Sequence, residues 1–392
     1  MNVPFYREKF DKLGIRPDDI KNFDDFAGLP VLKKEDVRDN LEKLKARDFK
    51  KHKPILSATG GTTTVPLKFY RSRASEEFRK AVMWRHYNHA GVFFRDGIVQ
   101  VGCPISYDLN GPLWAEDYKE RILTLNTLDL SFDKMDLMIE KMKEWKAKAI
   151  YGHCSAVAII AKHVLDEKIE DIKCKAFFNA GEVLPPYYRR MIEDAFKCKA
   201  YDYYGMRENI VATSECRDGS YHIDAELVYM EFEKDGRPAE AGEQADIIGT
   251  NLHNYATPLI RYFTEDVGAW VEDECKCGMK LPLMQIIGGR NKDFLVSRNG
   301  LTTIYLGYYA FEHGINIKNI QIVQHNLDEI TLRVVRGENY TPKDEEDVLK
   351  AADIFIRGRF RINLEYVDKI ERTKLGKYIN VVCEIPLEEQ GL

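Results

Sequence analysis

Between Pro54 and about Gly289, short apolar runs alternate with stretches of helical periodicity, and this alternation constrains the fold more than any other feature of the chain. The runs Gly97–Gly102, Ala149–Tyr151, Lys175–Asn179, Ala200–Tyr203, Leu227–Phe232, Asp246–Thr250 and Val267–Val271 are too short for helices and predict strands. Between them, Met135, Met138, Ile139, Met142 and Trp145 recur at helical spacing, as do Val157, Ile160, Ala161 and Val164. Each set predicts one buried helix face, and the methionines predict core packing rather than a cofactor box. Strands and helices alternating at these lengths predict an α/β body. The segment before it, Met1 to about Lys53, is polar and helical, with Leu29-Pro30-Val31-Leu32-Lys33-Lys34-Glu35-Asp36 closing one element and capping the next.

After Gly289-Arg290-Asn291-Lys292-Asp293 the pattern changes. A hairpin (Ile320–Gln324 and Ile330–Val335), a charged helix (Lys343–Arg357) and a last strand pair predict a small α+β domain. The chain of 392 residues is long enough for two units. The expected division is a large α/β body over 1–289 and a small C-terminal domain over 290–392. Lys and Arg total 58 against 63 Asp and Glu, a net charge of -5, which excludes a nucleic-acid binder resting on overall positive charge. No run approaches the roughly 18 apolar residues of a membrane helix, and Met1 to Phe10 shows no secretory apolar core. A soluble cytoplasmic protein is expected. Eight cysteines are too few for a disulfide scaffold. Cys103, Cys154, Cys174, Cys198 and Cys383 stand singly and are expected as small buried apolar residues.

Five segments carry candidate chemistry. Ser57-Ala58-Thr59-Gly60-Gly61-Thr62-Thr63-Thr64-Val65-Pro66-Leu67-Lys68 combines glycines with hydroxyls and amides able to hold phosphate oxygens; a polar turn is the plainer reading. No Gly-Lys-Ser/Thr follows, so it is not a Walker loop. In Asp202-Tyr203-Tyr204-Gly205-Met206-Arg207-Glu208-Asn209, a carboxylate just past a strand and a glycine turn can hold a divalent cation beside phosphates; a surface carboxylate is the alternative. In Arg261-Tyr262-Phe263-Thr264-Glu265-Asp266-Val267-Gly268, Asp266 is a candidate acceptor for a ribose diol or a turn residue. The fourth and fifth segments are Gly289–Gly300 and Glu371-Arg372-Thr373-Lys374-Leu375-Gly376-Lys377.

In this order and spacing the five segments resemble the adenylate-forming superfamily of acyl-CoA synthetases, luciferases and peptide-synthetase adenylation domains. Within it the chain is most similar to the phenylacetate-CoA ligase, CapK and coenzyme F390 synthetase-like branch, which Pro4-Phe5-Tyr6-Arg7-Glu8-Lys9-Phe10 also resembles. The resemblance spans nearly the whole chain. It implies an adenylate-forming body with a mobile C-terminal lid, use of ATP, Mg²⁺ and CoA with release of AMP, and a carboxylic-acid substrate such as phenylacetate. The implied phosphate-loop residues are Thr59, Thr62 and Thr63, with Thr64 and Val65 departing from the usual glycine and basic residue. Gly181 and Glu182 fall where the family lines the adenine. Tyr204 and Gly205 open the Tyr-Gly-x-Thr-Glu motif, with Arg207 in place of its Thr, and Glu208 is the implied Mg²⁺ ligand and catalytic carboxylate. Asp266 falls on the ribose aspartate, with Phe263 and Glu265 departing around it. Gly289, Arg290 and Asp293 match the hinge motif, Arg290 contacting ribose or phosphate and Lys292 with Asp293 absorbing the lid rotation. Thr373, Gly376 and Lys377 match the closing motif, which makes Lys377 the implied adenylation lysine, with Lys374 second. The resemblance requires no protein nucleophile, and the sequence shows no Ser/His/Asp or Cys/His arrangement.

Cys275-Lys276-Cys277-Gly278 has one residue between thiols, fewer than the two to four usual at structural zinc sites. Cys216 and His222 offer a second soft pair, and relatives on this branch carry a comparable Cys-x-Cys-Gly. A structural Zn²⁺ held by Cys216, His222, Cys275 and Cys277 is weighed against four separate residues. His153 is expected as a wall of the acyl pocket or as a satisfied buried histidine; His86 and His89 are expected in packing. Nothing in Cys103–Pro112 fixes the acid. Two alternatives stay open, an amine or carrier-protein thiol as acceptor and a non-catalytic nucleotide-binding homologue. No nucleic-acid or membrane partner is expected, and a homodimer is compatible with the reading.

Overall fold

A computed structural model describes residues 2–58, 67–102, 111–127, 130–182, 184, 186–288, 294–298, 300–303, 315–356, 358–370 and 381–385. The chain forms two compact units, each assembled from separate stretches. One comprises Met1–Gly60, Leu67–His86 and Tyr203–Gly289; the other comprises Gly61–Pro66, Tyr87–Asp202 and Arg290–Leu392.

In the first unit, antiparallel strands follow the order Arg237–Pro238, Val228–Lys234, Ala245–Asn251, Tyr262–Val271, Leu283–Gly288, Tyr221–Ile223, Ala212–Glu215, ending on Tyr203–Gly205 of the Lys199–Gly205 strand. Val228–Lys234 shows the alternating burial of a half-buried antiparallel strand. The strand expected at Val267–Val271 begins earlier, at Tyr262, so Asp266 lies inside a strand rather than in a turn. Glu265 takes φ 62 there, and the ladder shifts register at Val267/Gly268. The short N-terminal helices Pro4–Leu13, Phe23–Ala27 and Lys34–Asp39 cover this sheet through Phe5, Tyr6, Phe10, Leu29 and Leu32, which pack with Ile210, Leu259 and Tyr262. The Lys33 amide donates to Asp36 Oδ2 at 2.9 Å, capping the third of these helices as its sequence expects.

A buried arginine locks the sheet to that cover. Arg261, 4% exposed, donates from Nε to both oxygens of Glu231 (3.0 and 3.1 Å) and from Nη2 to Glu233 (2.7 Å), while Nη1 reaches the Leu29 carbonyl. Burial raises the Glu231 carboxyl above its ordinary pKa against the opposing pull of Arg261.

The second unit is the α/β body that the periodicity predicts. Ile122–Leu125, Ile98–Val101, Ala149–Gly152 and Ala176–Ala180 run parallel in that order, with Trp114–Asp117 antiparallel on the outer edge. Their nearly continuous apolar sequences suit strands covered on both faces. Helices Phe132–Trp145, Cys154–Asp166 and Pro186–Phe196 pack on them, and both predicted helical stripes are in the core. In the C-terminal stretch, Ile317–Asn326 and Glu329–Arg336 form the expected hairpin, and helix Pro342–Ile356 buries Val348, Ala351, Ala352 and Ile356 against it. The last two strands do not pair with each other. Arg361–Tyr366 and Val381–Cys383 each join one edge of the hairpin in parallel, because the helix returns the chain beside Glu329–Arg336. Among the described residues no helix is long and apolar enough to cross a membrane.

Candidate nucleotide site and metal cluster

The Lys199–Gly205 strand ends in the turn that carries the first cluster. Gly205 is required by packing, since a Cβ there would come 2.5 Å from the Tyr203 ring. Asn209 takes the left-handed conformation (φ 57) and its amide donates to the Met206 carbonyl at 3.0 Å, closing the turn. Asn251 Nδ2 donates to the Asn209 carbonyl at 2.5 Å, so the turn is tied to the neighbouring strand. Within this frame Tyr204 Oη donates to Asp266 Oδ2 at 2.9 Å. The Asp266 amide donates to Thr264 Oγ1 (3.0 Å), which in turn donates to the Ile247 carbonyl (2.8 Å). Asp266 is therefore a buried carboxylate in fixed orientation, the arrangement a vicinal diol needs for two hydrogen bonds. Glu208 is buried in the same turn, and Arg207 beside it is exposed.

In the second unit, the Ala176–Ala180 strand ends in Gly181 (φ 82) and the buried Glu182. Asn179, with no exposed surface, is the hub here. Its Nδ2 donates to the Glu182 carbonyl (2.7 Å) and to Asp202 Oδ1 (2.6 Å), and its Oδ1 accepts from the Cys154 amide (3.0 Å). Cys154 Sγ donates to Glu182 Oε2 at 3.4 Å. His153 precedes helix Cys154–Asp166; it is partly exposed, and its ring stands 3.3 Å from where a Gly181 Cβ would be. It stands just past the carboxyl end of the parallel strand Ala149–Gly152, the end at which ligands of such sheets bind. Asn179 and Arg261 were not singled out from sequence; an Asn just before a Gly-Glu pair carries no signal of its own. Thr59, Thr62, Thr63, Gly289, Arg290, Lys292, Asp293, Thr373, Lys374, Gly376 and Lys377 lie outside the described residues, as does most of Cys103–Pro112.

The four soft ligands converge. The ligand atoms of Cys216, His222, Cys275 and Cys277 all lie within 4.8 Å of one another. Cys216 and Cys275 sulfurs are 3.6 Å apart, and Cys277 Sγ is 3.3 Å from His222 Nε2. Ligands about 2.0–2.3 Å from a tetrahedral zinc stand about 3.3–3.8 Å apart, so these edges fit that ion. Backbone amides of Cys277 and Met279 point at the sulfurs of Cys275 (3.5 Å) and Cys277 (3.4 Å), which favours thiolates. His222 is fully buried, with Nδ1 3.4 Å from the Leu281 carbonyl, leaving Nε2 toward the cluster. Burial pushes the Cys216 thiol up to about 11. At Cys275 burial acts the same way but is outweighed by hydrogen bonds involving Ser220, Cys277 and His222, which bring the thiol down to about 6. The pairing of Tyr221 with Met284 and His222 with Leu283 brings the hairpin ligands beside the Cys-x-Cys turn.

Residues 293–384 match the family described as the CapK C-terminal domain. Over 363 residues the chain is 26% identical to protein CapK of Staphylococcus aureus, spanning 89% of this chain and 78% of that protein. It is 24% identical over 361 residues to a phenylacetate-coenzyme A ligase of Thermus thermophilus, spanning 88% and 80%. Among solved structures, a 2-hydroxyisobutyryl-CoA ligase in complex with 2-HIB-AMP and CoA shares the fold at TM-score 0.62 and 22% identity, over 98% of this chain and 86% of that one. The fold is that of adenylate-forming enzymes, a large body followed by a C-terminal domain. The chain is thus similar over most of its length to CapK and to phenylacetate-CoA ligases.

Proposed function

We propose that the chain is an AMP-forming acid–thiol ligase that converts a carboxylic acid to an acyl-adenylate and then to its CoA thioester. The observation that carries this reading is the Tyr204–Asp266 pair in one turn-and-strand frame with Glu208, in a chain similar over most of its length to proteins named as CoA ligases. In the first step a carboxylate oxygen attacks the α-phosphorus of ATP, and the bond to the departing pyrophosphate breaks. In the second, the CoA thiolate attacks the acyl carbonyl and AMP leaves. Asp266, oriented by Tyr204 and Thr264, accepts from the ribose diol, and Gly181 with Glu182 lines the adenine. Glu208 is the residue proposed to hold Mg²⁺, which when bound neutralises charge on phosphate oxygens. The hydroxyls of Thr59, Thr62 and Thr63 receive phosphate oxygens. Arg290 contacts ribose or phosphate, and Asp293 serves the hinge of a lid over 290–392 whose Lys377 stabilises the charge that builds at the α-phosphate. Cys216, His222, Cys275 and Cys277 hold a structural Zn²⁺, with no position left open for chemistry.

An aryl acid such as phenylacetate is the proposed substrate, on the names of the relatives. In a second reading an amine or a carrier-protein thiol takes the acyl group in place of CoA. The test is ATP–pyrophosphate exchange across aryl and small aliphatic acids with Mg²⁺, followed by addition of CoA to any acid that supports exchange. Exchange with thioester formation supports the ligase, and exchange without it selects the second reading. Protein that binds no ATP refutes both.

A further inference from the structure

Solvent reaches the Cys216, His222, Cys275 and Cys277 cluster from one side only. Cys216 is 3% exposed and His222 is fully buried, whereas Cys275 and Cys277 are partly exposed. The turn that carries these two is open: Gly278 takes φ 87, and a Cβ there would meet no atom within 4 Å. Lys276 is exposed between the two thiols, and an ammonium beside a sulfur favours the reactive thiolate. The amides that donate to the sulfurs of Cys275 and Cys277 act in the same direction. Behind this face lies a second sulfur. Cys216 Sγ is 3.6 Å from Cys275 Sγ, although the residues are 59 positions apart. Both sit on hydrogen-bonded turns. The Cys216 amide donates to the Ser220 carbonyl at 2.9 Å, and the Gly278 amide to the Cys275 carbonyl at 3.2 Å. Sulfurs in van der Waals contact need to approach by only about 1.5 Å to reach a bond of about 2 Å. Other pairings are less favoured. Cys277 Sγ stands against His222 Nε2 at 3.3 Å, and a bond between Cys275 and Cys277, one residue apart, would close a short ring against the geometry a disulfide prefers.

We propose that the cluster is a redox switch, in which a hydroperoxide oxidises Cys275 and Cys216 to a disulfide and the zinc leaves. The proposal rests on the zinc reading above. The Cys275 thiolate attacks one peroxide oxygen, the O–O bond breaks, and the departing oxygen takes a proton from solvent and leaves as water. The Cys216 sulfur then attacks the Cys275 sulfur, the S–O bond breaks, and the hydroxide takes a second proton and leaves. Two electrons pass from the sulfur pair to the peroxide. A disulfide sulfur is no longer a thiolate ligand, so the ion keeps only Cys277 and His222 of its four partners and is lost to solvent. The strands on either side of the cluster pair with those that carry Tyr204 and Asp266, so the switch acts on the frame of the nucleotide site.

The experiment adds hydrogen peroxide to the zinc-loaded full chain. Freed zinc is read with a metallochromic indicator, and the cysteines are mapped by alkylation and mass spectrometry without reductant. The expected result is one zinc released per peroxide consumed, a disulfide joining Cys216 to Cys275, and recovery of the bound ion on adding a dithiol reductant and zinc. Cys277→Ser keeps both sulfurs of the pair and should still form the same disulfide, even where it holds metal poorly. Zinc retained while peroxide is consumed overturns the proposal. So does zinc loss with the Cys216 thiol still free, or with sulfinic and sulfonic acids that reductant does not reverse. Protein purified in reductant that carries no zinc takes down the metal reading, and the switch with it, a result distinct from loaded protein that keeps its ion under peroxide.

Discussion

Chelation of the Cys216, His222, Cys275 and Cys277 cluster should lower the unfolding temperature by about 8–16 °C. The figure comes from mass action on a four-ligand site. Metal at a thousandfold over its dissociation constant stabilises the folded state by about 4 kcal/mol. A cooperative unit of about 150–250 residues loses about 2–4 °C per kcal/mol. The ligands join two stretches distant in sequence, the Cys216 to His222 hairpin and the turn at Cys275 to Gly278, so losing the ion frees both ends of the constraint. Protein purified in reductant, to keep the 3.6 Å sulfur pair of Cys216 and Cys275 from oxidising, should carry one equivalent of zinc by elemental analysis. Its thermal unfolding would be followed with and without a chelator. Cys277→Ser should reproduce the chelated temperature and respond no further to chelator. Because the ligands must give up protons, and burial holds Cys216 up at about 11 without metal, zinc affinity should fall as pH is lowered. Stoichiometric absence of metal, or an unfolding temperature indifferent to both chelator and Cys277→Ser, refutes the reasoning.

Asp266→Ala should raise the ATP dissociation constant about tenfold or more by removing a fixed carboxylate from the diol, and Tyr204→Phe should do so by a smaller factor, both read by calorimetry. Lys377→Ala should cut the exchange rate by about a hundredfold or more while ATP binding survives; equal loss of binding and rate would deny it a role confined to the transition state. Arg261→Met should destabilise by about 3–5 kcal/mol at neutral pH in chemical denaturation, since it strands Glu231 and Glu233 without their cation. Glu231 is already raised by burial, so without Arg261 its folded pKa rises further above the unfolded value. A folded state that binds the proton more tightly gains stability as pH falls through that window, so the defect should shrink on moving from pH about 8 to about 5. A defect that grows toward acid pH would contradict it.

What the sequence disclosed depended on how local the signal is. The stripes Met135 to Trp145 and Val157 to Val164 repeat within one helix each, so periodicity alone located their buried faces. Cysteine and histidine are scarce enough that Cys216, His222, Cys275 and Cys277 could be grouped across a gap of more than fifty residues, and the strands do gather them. Tyr221–Ile223 and Ala212–Glu215, which present Cys216 and His222, are three and four residues long and too short for alternation to be read. Strand order is set by non-local pairing: Leu283–Gly288 lies between Tyr262–Val271 and Tyr221–Ile223, an insertion no local pattern encodes. Arg261 escaped for the same reason, because Glu231, Glu233 and Leu29 reach it from distant parts of the chain. Asp266 could be named as a candidate, but Tyr204 as its donor could not, since the hydrogen bond joins positions 62 apart.

The position of the metal cluster in the sheet makes one more expectation testable. Cys216 follows the strand Ala212–Glu215, which pairs with Tyr203–Gly205 and so with the backbone that aims Tyr204. On the other side, Tyr221 and His222 pair with Leu283 and Met284, whose strand pairs with Tyr262–Val271, the carrier of Asp266. The two partners of the 2.9 Å hydrogen bond thus hang from opposite sides of the clamped hairpin. A displacement of a few tenths of an ångström on either side weakens a contact of that length. If the clamp sets this geometry, chelated protein held below its unfolding temperature should bind AMP several-fold more weakly than zinc-loaded protein, and Tyr204→Phe should make AMP affinity less sensitive to chelation. AMP affinity unchanged by chelation in folded protein would mean that the strand ladder alone fixes Tyr204 against Asp266, and that the cluster serves stability only.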